Sequence, residues 1–188
     1  MYSPEAELIP SYLSNTEASA LYEALLKSIV WDERMKARKT ACYGQTYDDS
    51  GVDYQVVPMH PLLVPICERL VKNLGFRPTN CLINYYETGR SSMGFHSDAT
   101  HNLAEGTGVA ILSLGAERSL TFRSKTDLTH TVSYPLPNGS LFYMTQATQE
   151  FWTHAIKKTE TDDSRLSLTF RHILTPEELE QKRATRMG

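Results

Sequence analysis

The chain has 188 residues, a length typical of one domain, with 40% hydrophobic and 22% charged residues, as in ordinary globular proteins. Its net charge of −3 argues against a protein that coats nucleic acid, but is compatible with an enzyme that has one local basic patch. No signal peptide or membrane-length apolar stretch is visible, and three cysteines fit a reducing compartment. We therefore expect a cytoplasmic protein, or a nuclear one in a eukaryote, without membrane contact.

Helices are predicted at both ends of the chain. The first begins after Ser14, because Glu17 completes a capping box and apolar residues then recur every four positions. A second helix is predicted to begin at Pro61 and to end at Gly75, since proline suits a first turn and glycine a C-terminus. The third opens at Thr175 by the same capping logic.

Between Asn80 and Ile173 the pattern changes to short runs that alternate apolar and polar residues, separated by glycine-rich turns. The predicted strands are Cys81–Tyr86, Gly108–Leu114, Ser119–Arg123, Thr131–Tyr134, Ser140–Met144 and Arg165–Ile173. Many short strands with regular turns indicate a sandwich or barrel, and helices at the ends make the fold α+β.

A candidate metal site begins with His96-Ser97-Asp98. In a strand, residues two apart project to the same face, so an imidazole and a carboxylate at this spacing can bind one ion. A second histidine would complete the two-histidine, one-carboxylate set that holds Fe(II) with open positions. Spacing favours His154, which follows an aromatic run, over His101, His130 and His172, but does not exclude these.

A second polar constellation lies near the C-terminus, where Arg165, Ser167, Thr169 and Arg171 would share one face of a strand. Arginine binds carboxylates through two parallel hydrogen bonds, so this face suits a dicarboxylate. Asn84 and Tyr86 likewise share a face upstream. An exposed edge strand and ordinary strand packing are the competing interpretations.

The order of these motifs resembles the AlkB family of Fe(II)/2-oxoglutarate-dependent dioxygenases over nearly the whole chain. The matching motifs include Arg38-Lys39-Thr40, Tyr43-Gly44, Asn84-x-Tyr86, His96-x-Asp98, Ser113-Leu114-Gly115, Arg118, Trp152-x-His154 and Arg165-x-x-x-Thr169-x-Arg171. The resemblance implies one domain with a double-stranded β-helix (jelly-roll) core at 80–174. Residues 1–79 would form a helical region with a nucleotide-recognition lid, and 175–188 a helical tail.

The resemblance also implies roles for the polar residues. His96, Asp98 and His154 would bind Fe(II), and Arg165 would hold the distal carboxylate of the cosubstrate 2-oxoglutarate. Arg171 would lie near the carboxylate that chelates iron. The remaining cosubstrate contacts would come from Asn84, Tyr86, Ser167 and Thr169. The implied reaction consumes O₂ and oxidatively demethylates an N-alkylated base, with release of formaldehyde, succinate and CO₂.

Three positions depart from the family pattern. Ser167 stands where many relatives have asparagine, Thr100 where repair members have an acidic residue, and Asp49 where a duplex-reading relative has an aromatic one. The first departure weakens one polar contact, and the other two concern the substrate.

The expected partner is a single-stranded or flipped-base nucleic acid, bound transiently by a monomer. Its candidate contacts are Arg38, Lys39, Tyr43, Tyr47, Asp49, Ser50 and Thr100. Arginine and lysine would contact phosphates, and the tyrosines, with Tyr54, would stack on a base; a solvated face and core packing compete with these roles. A protein side chain or a small metabolite is the alternative substrate, and a catalytically silent binding module is the alternative class.

Overall fold

Two antiparallel sheets face each other, in a computed structural model that describes residues 2–47 and 51–187. The strands are β1 Ala6–Ile9, β2 Lys39–Gly44, β3 Asn80–Tyr86, β4 Met93–His96, β5 Gly108–Gly115, β6 Arg118–Ser124, β7 Thr131–Leu136, β8 Leu141–Thr145, β9 Trp152–Ile156 and β10 Arg165–Arg171. The helices are α1 Asn15–Ser28, α2 Val64–Leu74, α3 Gln146–Phe151 and α4 Pro176–Met187. The major sheet has the order β1-β8-β5-β10-β3-β2 and the minor sheet β4-β9-β6-β7, which confirms the predicted jelly-roll core.

Helix caps were predicted well at three of four tested ends. Ser14 caps α1 and exchanges hydrogen bonds with Glu17, and α2 ends at Gly75, whose φ of 75° is left-handed. The predicted start of α2 was wrong: Pro61–Leu63 form a turn, and Pro65 occupies the first helical turn. Thr175 caps α4 as expected, because its hydroxyl accepts a hydrogen bond from the Glu178 amide. In the described part of the chain, no helix is both long and apolar enough to span a membrane.

All six predicted strands are present, each within two residues of its expected ends. The region upstream of residue 80 is less helical than predicted, because β1 pairs with β8 and β2 pairs with β3. These two strands form the edges of the major sheet. The short helix α3 was also missed, and it interrupts the strand region between β8 and β9.

The major sheet separates two cores. On its outer face, α1 and α2 bury residues such as Leu25 and Leu70 against Ile83 and Leu168. On its inner face, residues such as Leu82 and Phe142 pack toward the minor sheet. Because side chains alternate along a strand, the polar residues of β3 and β10 that share the inner face are placed between the two sheets.

Candidate active site

The two histidines meet across neighbouring strands of the minor sheet. His96 ends β4, and its Cα is paired directly with that of His154 in β9. Their ring centroids are 4.4 Å apart. Residues directly opposite in an antiparallel pair have adjacent side chains, so strand pairing alone brings the two imidazoles together.

Asp98 completes the cluster in a way that the sequence did not indicate. It lies in the loop after β4, so the expectation that His96 and Asp98 share a strand face was wrong. Its Oδ1 is nevertheless 3.6 Å from Nε2 of both His96 and His154. One potential ligand atom from each residue lies within 4.8 Å of the others, a spacing that suits a single metal ion.

Protonation states favour cation binding at this cluster. Burial lowers the pKa of His154 to about 4, so its ring is neutral near pH 7. Burial would raise the pKa of Asp98, but Arg171 and the two imidazoles outweigh it and hold that pKa well below its ordinary value. Nδ1 of His96 is 2.9 Å from the carbonyl oxygen of Gly94, which assigns Nδ1 as the donor, and Nε2 is the nitrogen that faces Asp98 Oδ1.

The second carboxylate oxygen of Asp98 is bound by arginine. Arg171 donates to Oδ2 from Nη2 at 2.7 Å and from Nε at 3.0 Å. The same guanidinium carbon lies 3.7 Å from the ring centroid of Tyr47. Oδ2 is therefore engaged with the major sheet, while Oδ1 faces the two histidines.

One cavity joins the metal cluster to the polar face of β10. His96, Asp98 and His154 line it together with Asn84 and Tyr47. The residues of the predicted polar face all line it: Arg165, Ser167, Thr169 and Arg171. Their alternation with buried Leu166, Leu168 and Phe170 is as the sequence predicts.

Arg165 is a buried cation of this cavity whose hydrogen-bond donors are only partly satisfied. The residue is 1% exposed, and its Nη2 donates to the Ser113 hydroxyl at 2.9 Å. Nε and Nη1 are buried and have no hydrogen-bond partner among the described residues. Burial lowers its pKa to about 10, with the Tyr86 hydroxyl opposing this, so the group is charged at neutral pH. A buried, charged guanidinium with two unbonded nitrogens suits the distal carboxylate of a bound dicarboxylate.

Comparison with known proteins agrees with this geometry. The model of the 2OG-Fe(II) oxygenase superfamily matches residues 5–171. The chain is 31% identical over 186 residues to the human alpha-ketoglutarate-dependent dioxygenase alkB homolog 3, covering 88% of this chain and 65% of that protein. It is 34% identical over 148 residues to the human DNA oxidative demethylase ALKBH2, covering 73% and 57%. The chain belongs to the AlkB family of 2OG-Fe(II) oxygenases.

The fold also matches that of a solved structure, but the chain is shorter than its relatives in sequence. The structure of OsALKBH1 superposes with a TM-score of 0.65 at 16% identity and covers 91% of this chain and 99% of that one. The chain spans less than two thirds of the length of the alkB homolog 3 relatives that it matches.

Asn84 and Tyr86 face the interior in different ways. Asn84 lines the cavity, and its Oδ1 accepts a hydrogen bond of 2.6 Å from Nε of Arg38. The buried Tyr86 ring lies 5.3 Å from the Arg165 guanidinium carbon and supports it from the side. Asn84 is thus in reach of a cavity ligand, whereas Tyr86 orients the arginine.

The two basic residues expected to contact phosphates are engaged elsewhere. Arg38 is buried, and its Nε donates to Asn84, which lines the cavity, so its side chain packs inside the protein. Lys39 forms ion pairs of 2.9 and 3.0 Å with Glu33 and Glu87. Sequence proximity did not show these partners, because both come from tertiary packing.

The candidate base-contacting residues are divided between two locations. Tyr43 lies on the helix-covered face of the major sheet, against His60 and away from the cavity, and its stacking role stays a prediction. Tyr47 lines the cavity, while the Tyr54 hydroxyl pairs with that of Thr40. Thr100 is half-buried in the loop beyond Asp98, and its role stays a prediction. Asp49 and Ser50 lie outside the described residues.

Two further residues at the site were not singled out as site residues in the sequence. Ser113 of β5 accepts the Arg165 hydrogen bond, and its place on the inward face of a predicted strand was a usable signal. Gln149 of α3 accepts a hydrogen bond from the Asp98 amide at 2.9 Å. Nothing in the sequence pattern indicated Gln149, because α3 is too short to show helical periodicity.

Proposed function

We propose that this protein oxidatively demethylates N-alkylated bases in DNA or RNA, using Fe(II), O₂ and 2-oxoglutarate and releasing formaldehyde, succinate and CO₂. The observation that carries the proposal is the pair of free Arg165 donors, buried in the same cavity as His96, Asp98 and His154. That combination suits a dicarboxylate whose other end reaches a metal. The names of relatives as a dioxygenase and as a DNA oxidative demethylase support the reaction type.

In this proposal His96, Asp98 and His154 hold the metal. Arg171 keeps Oδ2 of Asp98 occupied, so the carboxylate would offer the metal its other oxygen, Oδ1. Bound Fe(II) with 2-oxoglutarate and O₂ supplies the oxidation that places a hydroxyl group on a substrate C–H carbon. An N-hydroxymethyl group formed in this way then breaks down to formaldehyde.

Arg165 would bind the cosubstrate in the cavity that the proposed metal ligands also line. Its free Nε and Nη1 would receive the distal carboxylate, with Ser113 fixing the third nitrogen. The hydroxyls of Ser167 and Thr169 extend along the same wall. Apolar side chains such as Leu120 and Leu136 complete the cavity and exclude water, which strengthens each polar contact.

A basic and aromatic patch on the minor sheet supports a nucleic-acid substrate. The guanidinium carbon of Arg123 is 3.9 Å from the Phe95 ring centroid, and Nζ of Lys157 is 5.6 Å from it. Arg123 and Lys157 each follow an inward-facing residue, Phe122 and Ile156, so this patch lies on the outer face of the minor sheet. Cations beside an aromatic ring are the combination with which proteins hold single-stranded nucleic acids.

The test is formaldehyde release from methylated single-stranded DNA and RNA of matched sequence, with succinate measured in parallel. Formaldehyde from one polymer and not from the unmethylated control supports the proposal and names the substrate class. The His96→Ala variant should release neither product. Succinate formation without formaldehyde from any methylated oligonucleotide would refute the substrate but not the oxygenase chemistry.

The second candidate function is oxidation of a protein side chain or a small metabolite at the same site. The interactions of the two basic residues expected to contact phosphates favour it, because Lys39 is paired with two carboxylates and Arg38 is buried. This candidate predicts that unmethylated oligonucleotides and methylated ones affect succinate formation equally. A silent binding module would form no succinate under any condition.

A further inference from the structure

Asp98 is the one proposed metal ligand without support from a sheet. The backbones of His96 and His154 are fixed by the pairing of β4 with β9, whereas Asp98 follows the end of β4. Its amide instead donates to Oε1 of Gln149 at 2.9 Å. Both residues are buried, with 5% exposure for Asp98 and 3% for Gln149, so water does not compete for this bond.

The side chain of Gln149 has a defined place because its helix is anchored. Thr148 donates to the Glu5 carbonyl at 3.0 Å, and Gln146 donates to the Ala104 carbonyl at 2.6 Å. Lys125 donates from Nζ to the Gln149 carbonyl at 2.7 Å. These contacts hold a six-residue helix that has no side-chain cap of its own.

The other end of the Gln149 amide also points to the cavity. Its Nε2 is 3.1 Å from Sδ of Met144, a residue that lines the cavity shared with the metal cluster. The adjacent Ser97 hydroxyl donates to the Trp152 carbonyl at 2.9 Å, two residues before His154. The His96–Asp98 loop is thus joined at two points to the segment that leads into β9.

We propose that Gln149 is a positioning residue that sets the orientation of the Asp98 carboxylate for metal binding. The inference rests on the proposed metal site. By holding the Asp98 amide, Gln149 directs Oδ1 to the histidines while Arg171 holds Oδ2. Residues that orient metal ligands typically contribute about 10- to 100-fold to metal affinity or activity when they are changed.

The experiment measures binding of Co(II), as a redox-stable probe, to the full chain by calorimetry and by the visible absorption of the bound ion. The variant Gln149→Met keeps the side-chain length and removes the acceptor. Its matched control is Gln146→Met, which makes the same substitution on the same helix but removes a bond to Ala104. Gln149→Glu retains an acceptor for the Asp98 amide.

We expect Gln149→Met to weaken Co(II) binding by about 10- to 100-fold and to change the absorption spectrum. Gln146→Met should bind as the unchanged protein does, and Gln149→Glu should recover most of the affinity. Unchanged binding by Gln149→Met, or equal weakening by both methionine variants, would overturn the inference. If Gln149→Met fails to fold, Gln149→Asn, whose shorter amide cannot reach Asp98, takes its place with the same expected loss. Absence of Co(II) binding by the unchanged protein would instead contradict the proposed function.

Discussion

Replacing Arg165 with methionine should stabilise the ligand-free protein while it disables cosubstrate binding. Burial lowers the Arg165 pKa to about 10, and this drop from the ordinary value corresponds to a folding penalty of about 3 kcal/mol. Because the pKa is lower in the folded state, the penalty is fully present below about pH 10 and disappears at higher pH. Methionine removes it at neutral pH.

The expected gain is smaller than that penalty because Arg165 also has a useful contact. Losing the hydrogen bond to Ser113 costs about 1 kcal/mol, which leaves a net gain of about 2 kcal/mol. For a chain of this size, that gain raises Tm by about 4–8 °C. Thermal unfolding of the metal-free protein, followed by circular dichroism at pH 7, measures it.

The same substitution should raise the KM for 2-oxoglutarate. Truncating one partner of a buried charged pair costs about 2–5 kcal/mol. At about 1.4 kcal/mol for each tenfold change, the KM increases by about 30- to 4000-fold. Succinate formation at varied 2-oxoglutarate concentration gives this value.

Arg118→Met provides a matched control. Arg118 is 2% exposed, like Arg165, but its guanidinium donates to the carbonyls of Ser91 and Lys157. Its removal leaves buried acceptors without partners, so Tm should fall, in the opposite direction to Arg165→Met. A lower Tm for Arg165→Met together with an unchanged KM would refute the assignment of Arg165 as an unsatisfied carboxylate receptor.

Three other predictions follow from the site and the surface. His96→Ala should abolish Fe(II) binding, measured by anaerobic calorimetry, and a retained stoichiometric site would contradict the ligand assignment. Arg171→Met should lower the free energy of unfolding of the metal-free protein by about 3–5 kcal/mol, measured by urea unfolding at pH 7, because the buried Asp98 charge loses its partner. Folding lowers the Asp98 pKa, so the difference between the two proteins should shrink as the pH falls below about 4. Arg123→Ala and Lys157→Ala should each reduce the salt dependence of oligonucleotide binding by about one unit of log–log slope, whereas Lys39→Ala, whose cation is already paired, should leave it unchanged.

Local sequence patterns were sufficient to predict features that depend on a single strand or helix. The alternation from Arg165 to Arg171 predicted the polar face of β10, and the capping box at Ser14 predicted the start of α1. Both depend on periodicity or hydrogen bonds within a few residues. The side chains that these elements present could therefore be read from the sequence.

Features that depend on distant partners could not be predicted in this way. The pairing of His96 with His154 joins residues 58 positions apart, and only the family resemblance turned His154 from a preference into an assignment. Arg38 was expected at the surface because its neighbours are basic, but tertiary packing places it on Asn84. Strands β1 and β2 escaped detection because each is defined by its pairing with a distant strand of the major sheet.

The two proposed histidine ligands belong to the minor sheet, while Arg165 and Arg171 belong to the major sheet. Metal and cosubstrate together would therefore link the two sheets across the seam between them, and binding of one would increase the affinity for the other. Backbone amides along that seam should exchange hydrogen for deuterium fastest in the empty protein and slowest in the fully loaded one. On the same reasoning, a protease should cleave the empty protein faster than the protein loaded with metal and cosubstrate.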